Sequence, residues 1–209
     1  MRCPSCEIDN PSSNRFCGNC GRGLIGARLA PHSYTPPHLA RRILAERAAM
    51  EASAAEGERK TITALFADIK GSVELMEDLD PEEASHIVDP ALEIMMEAVH
   101  HYEGFVARST GDGIFALFGA PIAHEDHPQR ALHAALRMQE AIASYADELR
   151  LEKGVGLEIR VGINTGEVVL RSIRKDDLHT DYTPIGHSTN LAARMESLAQ
   201  PGAVLVSER

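Results

Sequence analysis

Two aspartates lie where strand-like stretches of the sequence give way to glycine. Asp68 ends an alternating apolar stretch just before Gly71-Ser72, and Asp112 stands between two glycines. Aspartate is depleted in strands and is seldom buried, so a carboxylate at either position is poor material for a strand or a core. Two such carboxylates, if the fold brings them together, form the oxygen-rich site that Mg²⁺ or Mn²⁺ prefers. With the Gly71-Ser72 turn beside them, the pattern predicts a site for a metal–triphosphate.

Either aspartate taken alone has an ordinary explanation. Asp68 could simply be a residue of the turn after a strand, and an aspartate between glycines is common hairpin-turn sequence. No Gly-x-x-x-x-Gly-Lys-Ser/Thr segment occurs in the chain, which excludes a P-loop nucleotide site for this sequence. The metal hypothesis therefore depends on the two aspartates acting together.

Four cysteines form two Cys-x-x-Cys pairs near the start of the chain, namely Cys3 with Cys6 and Cys17 with Cys20. Four thiolates are what a tetrahedral structural Zn²⁺ site requires. So short a segment cannot fold on apolar burial alone, so the metal would supply its folding free energy. The alternative is a pair of redox dithiols or a disulfide scaffold. We predict a zinc ribbon over residues 1–24, similar to the modules at the front of many bacterial proteins, with a protein or nucleic acid as its partner.

Composition narrows the class of protein. The chain has 209 residues, 44% of them apolar, and a net charge of −10. Such a charge argues against general nucleic-acid binding by the whole chain, which needs a basic face. Neither a stretch of eighteen apolar residues nor an apolar leader is present, which predicts a cytoplasmic protein with no membrane span. A reducing compartment also favours metal binding over disulfides for the cysteines.

A linker and a connecting helix are predicted over residues 25–57. Pro36-Pro37 marks the linker, and from His38 to about Arg59 the composition favours a helix, with Leu39 and Ile43 at helical spacing. This helix could transmit a signal or pair with a second copy. A plain solvated linker helix is the alternative.

Residues 58–209 alternate strand and helix patterns, which predicts one α+β domain with helices on one face of a sheet. Strands are predicted at 61–66, 105–108, 114–118, 157–163, 167–170 and 203–206. One helix starts at the Asp80 cap and runs to about Tyr102, with Pro90 kinking or breaking it. A second helix starts at Asp126, and a third spans 189–198. Asn164-Thr165-Gly166 is predicted to separate two strands.

Four motifs in this region resemble the ordered signature of class III adenylate/guanylate cyclases. In chain order they are Phe66-Ala67-Asp68-Ile69-Lys70-Gly71-Ser72, Thr110-Gly111-Asp112-Gly113, Arg160-Val161-Gly162-Ile163-Asn164-Thr165-Gly166-Glu167-Val168 and Asn190-Leu191-Ala192-Ala193-Arg194-Met195-Glu196. Four motifs in the same order are more specific than any one of them. The resemblance covers residues 58 to 209.

The resemblance implies a ferredoxin-like domain that acts as a homodimer with active sites at the interface. Such enzymes convert a nucleoside triphosphate into its 3′,5′-cyclic monophosphate and pyrophosphate. It assigns two Mg²⁺ or Mn²⁺ ions to Asp68, Asp112 and the backbone of Ile69. Backbone N–H groups from Ile69 through Gly71 to Ser72 would cradle the phosphates. From the second copy, Asn190 would orient the ribose and Arg194 would stabilise charge on the α-phosphoryl group.

Base selection falls on two positions in this resemblance. Arg108 occupies the first position and can only donate hydrogen bonds, and Thr183 occupies the second, where its hydroxyl can accept from adenine. Together they favour ATP over GTP. The family's last strands would follow Arg209, so the domain is expected to be truncated at its C-terminus. Two alternatives remain: a degenerate cyclase-like module that binds nucleotide or dimerises without turnover, and a protein whose principal unit is the zinc ribbon.

Overall fold

The computed structural model describes residues 8–9, 35–52, 58–71, 80–176 and 179–208. The chain divides into two compact units, Met1–Tyr34 and Thr35–Arg209. The four cysteines and Ser72 lie outside the described residues, so the zinc ribbon and the role of Ser72 stay predictions.

The second unit is a mixed α+β domain built on one sheet. Its described elements are, in order, α1 (Pro37–Ala52), β1 (Glu58–Ile69), α2 (Pro81–His101), β2 (Phe105–Ser109), β3 (Gly113–Phe118), α3 (His127–Lys153), β4 (Ile159–Asp176), β5 (His179–Ile185), α4 (His187–Leu198) and β6 (Val204–Val206). The strand order is β2-β3-β1-β4-β5, and β6 pairs with β4 in parallel. The other pairings are antiparallel, and β1 lies at the centre.

Strand β4 is continuous where the sequence predicted a break at Asn164-Thr165-Gly166. These residues stay in register with β1, with Asn164 opposite Ala64 and Gly166 opposite Ile62. The Asn164 amide donates a hydrogen bond to the Ser188 carbonyl of α4, at 2.9 Å. A side chain at Gly166 would lie 2.2 Å from the Ser188 hydroxyl. The asparagine and glycine therefore serve the contact with α4 and do not form a turn. Strand β5 was not predicted.

Helices cover both faces of the sheet. The Thr63 Oγ1 of β1 lies 2.8 Å from Nδ1 of His127 at the start of α3. The next strand residue, Ala64, belongs to a buried cluster with Leu39 of α1 and Ala192 of α4. Because successive strand residues point to opposite faces, α3 lies over one face, while α1 and α4 lie over the other. The prediction of helices on one face is therefore wrong. The sequence pattern shows which residues of a helix are apolar, but it does not show which face of the sheet they contact.

Helix α2 begins as its sequence predicts and continues through Pro90. The Asp80 side chain accepts a hydrogen bond from the Glu82 amide, and proline occupies the first turn. Ile87 and Ala91, on either side of Pro90, are both buried. The packing of this face outweighs the hydrogen bond that Pro90 removes. Of the two predicted outcomes, a kink or a break at Pro90, the break does not occur.

Helix α1 is docked onto the domain by its first half. Leu39 is 1% exposed and Ile43 is also buried, both against the sheet. Arg42 pairs with Glu103, just after the end of α2. The described part of the helix reaches Ala52, and β1 begins at Glu58, so the predicted helix limit of about Arg59 lies inside a strand. Its buried face excludes the interpretation of α1 as a plain solvated linker.

Helix α3 presents a buried stripe to the sheet and ends at a left-handed glycine. Its buried residues are Ala131, Ala134, Ala135, Met138, Ile142, Ala146 and Leu149. Gly154 closes the helix with φ 70°, a conformation that glycine adopts without strain.

Within the described ranges, no helix combines the length and apolar character needed to cross a membrane.

Candidate functional site

The sheet brings Asp68 and Asp112 to the same end of two paired strands. Strands β1 and β3 run antiparallel with Asp68 opposite Gly113. The Ile69 amide donates a hydrogen bond to the Asp112 carbonyl at 3.0 Å. The two aspartates, which are far apart in sequence, are therefore neighbours, as the metal hypothesis requires.

Gly113 makes this close approach feasible. A Cβ there would lie 2.5 Å from the Ala67 carbonyl oxygen and 2.9 Å from Oδ1 of Asp68. Any other residue would push the hairpin away from the Asp68 carboxylate. Gly111 has φ 100° in the same turn, where only glycine is unstrained. Both glycines of the Gly-Asp-Gly segment thus position the aspartate between them.

An arginine and a glutamate that the sequence analysis did not assign complete the site. Arg160 of β4 lies opposite Asp68 in the register, and its Nη2 donates to Oδ2 of Asp68 at 3.1 Å. The same nitrogen lies 2.9 Å from Oε1 of Glu196 on α4. Both residues stand inside the quoted motifs, but their meeting depends on how α4 packs against β4.

Charge and burial raise the pKa of Asp68 to about 6 from its ordinary value of 3.8. Burial is the largest cause, followed by the nearby negative charge of Asp112; the hydrogen bond from Arg160 acts in the opposite direction, and Glu196 raises the pKa further. The negative charges of Asp112 and Glu196 thus act on Asp68 together, against the single guanidinium of Arg160. This excess of negative charge is what a divalent cation would neutralise.

The donor set fits a cation that also takes ligands from its substrate. Mg²⁺ commonly binds proteins through one or two carboxylates and completes its shell with water and substrate phosphates. In the part of the chain that the structure describes, no group of three or more His, Cys, Asp or Glu side chains is arranged to hold a metal. Asp68 and Asp112 therefore suit a metal–nucleotide and not a cation enclosed entirely by protein.

Helix α4 turns Asn190 and Arg194 away from this carboxylate pair. A Cβ at Gly162 of β4 would lie 2.0 Å from the Glu196 amide nitrogen and 2.3 Å from the Ala192 carbonyl oxygen, so α4 rests directly on β4. Ala192 and Glu196 form the inward stripe. Helix residues two positions apart point to nearly opposite sides, and both Asn190 and Arg194 are exposed. One copy of the chain does not bring these two residues to its own aspartates.

Fewer backbone N–H groups are available to bind a phosphate than the family resemblance implies. The amides of Ile69 and Lys70 already donate to the carbonyls of Asp112 and Glu158, at 3.0 and 2.8 Å. Their N–H groups are not free to bind phosphate, which corrects the assignment of Ile69 as a phosphate donor. Gly71 follows with φ 73° in the turn after β1.

The two base-reading candidates lie on different strands. Arg108 is exposed on β2, opposite Phe115, just after a register shift at Val106. Arg108 forms no ion pair with a carboxylate among the residues described here. Thr183 lies on β5 at the position opposite Arg171.

Residues 55–209 match the model of the adenylate and guanylate cyclase catalytic domain. The chain belongs to this family. An adenylate cyclase from Anabaena cylindrica is 34% identical over 155 residues, which cover 72% of this chain and 29% of that protein. The solved guanylyl cyclase Cya2 is 33% identical, with a TM-score of 0.68, covering 73% of this chain and 77% of that one.

A solved adenylyl cyclase, CyaB from P. aeruginosa, is similar to the same extent. It has a TM-score of 0.69 at 31% identity, covering 74% of this chain and 80% of its own. The predicted cyclase fold is thus confirmed. The chain spans less than a third of the length of these curated relatives: 21% of adenylate cyclase 1 from Rhizobium meliloti and 29% of the Anabaena protein.

Proposed function

We propose that residues 58–209 form a metal-dependent nucleotide cyclase that converts ATP, or less readily GTP, into the 3′,5′-cyclic nucleotide and pyrophosphate. The observation that carries the proposal is that Asp68, near the end of β1, and Asp112, in the turn just before β3, are neighbours. In the reaction, the ribose 3′-oxygen forms a bond to the α-phosphorus, and the bond from that phosphorus to the pyrophosphate oxygen breaks.

Asp68, Asp112 and the Ile69 carbonyl would hold two Mg²⁺ or Mn²⁺ ions. When bound, these ions would lower the pKa of the 3′-hydroxyl and neutralise the phosphates. The Asp68 side chain is 27% exposed, so water has limited access to its carboxylate, and charges act on it more strongly than they would in bulk water. Gly71 and Ser72 remain as the proposed phosphate contacts, since the Ile69 and Lys70 amides are already paired.

A homodimer would complete the active site. Asn190 and Arg194 stand on the outer side of α4, while Glu196 on its inner side contacts the aspartate site through Arg160. A second copy related by twofold symmetry could present its own Asn190 and Arg194 to this copy's aspartates. Asn190 would then orient the ribose, and the Arg194 guanidinium would stabilise charge on the α-phosphoryl group.

We propose ATP as the preferred substrate. The Anabaena and Rhizobium relatives are adenylate cyclases, whereas of the two solved structures compared above, Cya2 is a guanylyl cyclase and CyaB an adenylyl cyclase. Arg108 and Thr183 would read the base. For the N-terminal segment, the proposal is that Cys3, Cys6, Cys17 and Cys20 hold a structural Zn²⁺ in a ribbon that binds a protein partner.

The first test is cyclic nucleotide production from ATP and, separately, from GTP, with Mg²⁺ and with Mn²⁺. Asp68→Asn is the critical variant and Asp147→Asn its control, because Asp147 is exposed on α3 and pairs with Arg150 one helical turn away. Cyclic AMP formation that disappears in Asp68→Asn and persists in Asp147→Asn would support the proposal. Binding of metal–nucleotide without any pyrophosphate release would favour the degenerate module.

Mixing two inactive variants tests the composite site. Asp68→Asn and Arg194→Ala damage different halves of each site, so a mixed dimer would keep one complete site. Random exchange makes half of the dimers mixed, each with one working site of two, so about a quarter of wild-type activity should return. Subunit exchange must first be verified. If the mixture then recovers no cyclase activity, the interfacial site is refuted.

A further inference from the structure

Arg160 lies between two carboxylates and donates a hydrogen bond to only one of them. Its Nη2 donates a hydrogen bond to Asp68 at 3.1 Å. Oε1 of Glu196 lies 2.9 Å from the same nitrogen but accepts no hydrogen bond, and Nε of Arg160 donates none, although both atoms are buried. A buried donor and a buried acceptor thus remain unmatched on neighbouring side chains, which is costly.

The unmatched atoms define a second arrangement for the same guanidinium. Nε and Nη2 form one edge of the arginine fork, and a carboxylate can accept from both at once. Glu196 is close enough that a small reorientation of Arg160 would exchange its bond to Asp68 for this paired contact. The side chains are 22% exposed for Arg160 and 13% for Glu196, so neither charge is well hydrated without a partner.

We propose that Glu196 is a positioning residue that accepts the Arg160 guanidinium when a divalent cation takes Asp68. This inference rests on the proposed function, in which Asp68 is a metal ligand. Arg160 and the cation carry the same sign and compete for one carboxylate. Glu196 keeps the guanidinium paired after it leaves Asp68, so the competition costs the cation less binding free energy.

Two simpler roles for Glu196 make different predictions. Glu196 could attract the cation only through its negative charge, in which case its effect would not need Arg160. It could also serve only to tie α4 to β4, in which case its removal would lower stability without changing metal affinity. A double-mutant cycle separates these roles from the proposed one.

The experiment measures Mn²⁺ binding to the full chain from the electron paramagnetic resonance signal of free Mn²⁺, without nucleotide or turnover. The variants are Glu196→Gln, Arg160→Gln, the double variant and Asp68→Asn. Glu196→Gln should weaken Mn²⁺ binding about five- to tenfold, the size expected for coupled charged neighbours, because Arg160 then stays on Asp68. In the Arg160→Gln background, the same change should alter affinity less than about twofold.

Three outcomes would overturn the inference. Unchanged Mn²⁺ affinity in Glu196→Gln would leave only the structural role, and an equal loss in both backgrounds would leave only the through-space charge. If Asp68→Asn binds Mn²⁺ as the wild type does, the metal site itself is misassigned, and the proposed function fails with it. Urea unfolding of each variant checks the fold. If Glu196→Gln does not fold, Glu196→Asp replaces it, because a shorter carboxylate keeps the charge but withdraws it from the Arg160 guanidinium; Mn²⁺ binding should then still weaken, and unchanged affinity would overturn the inference.

Discussion

Replacing Asp68 with asparagine should stabilise the protein when no metal is present. In the folded chain the pKa of Asp68 is about 6, compared with 3.8 ordinarily, because burial and Asp112 disfavour its charged form. At about 1.4 kcal/mol for each pH unit between these values, a fully shielded carboxylate would cost about 3 kcal/mol. The side chain is partly solvated, which reduces the expected gain of Asp68→Asn to about 1–2 kcal/mol at pH 8.

The pH dependence of this gain follows from the direction of the shift. The folded protein holds the Asp68 proton more tightly than the unfolded chain does, so the wild type gains stability as the pH falls from about 6 towards 3.8. Its contribution is complete below the unfolded value and is lost as the pH rises through the folded one. Asp68→Asn lacks this titration, so its advantage should shrink to nearly zero by about pH 4.

Urea unfolding in EDTA at pH 8, 6 and 4.5 measures the effect, with Asp147→Asn as the control that should stay within about 0.5 kcal/mol of wild type. Adding Mn²⁺ should reverse the order of stability at pH 8, because only the wild type gains binding free energy, about 2.7 kcal/mol at one hundred times the dissociation constant. The reasoning fails if Asp68→Asn is less stable than wild type in EDTA at pH 8, or if its advantage does not change with pH.

Two packing predictions concern the layer that carries α1 and α4. Gly162→Ala should cost about 3 kcal/mol or more in unfolding free energy, because its Cβ would lie 2.0 Å from a backbone nitrogen of α4. The control Gly156→Ala should be nearly neutral, because the nearest atom to its Cβ is the end of the flexible Arg150 side chain at 3.9 Å. Leu39→Ala should cost about 2–4 kcal/mol if α1 is part of the folded domain, compared with less than about 1 kcal/mol for Leu132→Ala, whose side chain is 40% exposed. Thermal unfolding of the four variants tests both, and a Leu39→Ala protein as stable as wild type would mean that α1 does not dock in solution.

Local signals predicted the parts of the fold whose chemistry is local. The Asp80 cap starts α2, and Gly111 and Asp112 lie in the turn between β2 and β3, because caps and turns depend on residues adjacent in sequence. The predicted strands at 105–108 and 114–118 agree with β2 and β3 for the same reason. Family motifs then predicted the cyclase fold, which the comparisons confirm.

Local signals failed where long-range packing overrides them. Asn164-Thr165-Gly166 has turn composition, but pairing with β1 and contact with Ser188 keep it extended. Pro90 should interrupt a helix, yet burial of the residues around it maintains α2. In both places, contacts with distant elements outweigh a local preference of a few kcal/mol.

The sequence by itself determined that two aspartates lie beside glycines at the ends of strand-like stretches. It also determined that four cyclase motifs occur in the family's order. Both features are properties of the linear chain. Only the tertiary structure decided that Arg160 meets both Asp68 and Glu196, and that Asn190 and Arg194 face away from them. The physical reason is that strand register and helix rotation set which side chains meet. The register between β1 and β4 places Arg160 opposite Asp68, and the absence of a side chain at Gly162 lets α4 lie directly on β4.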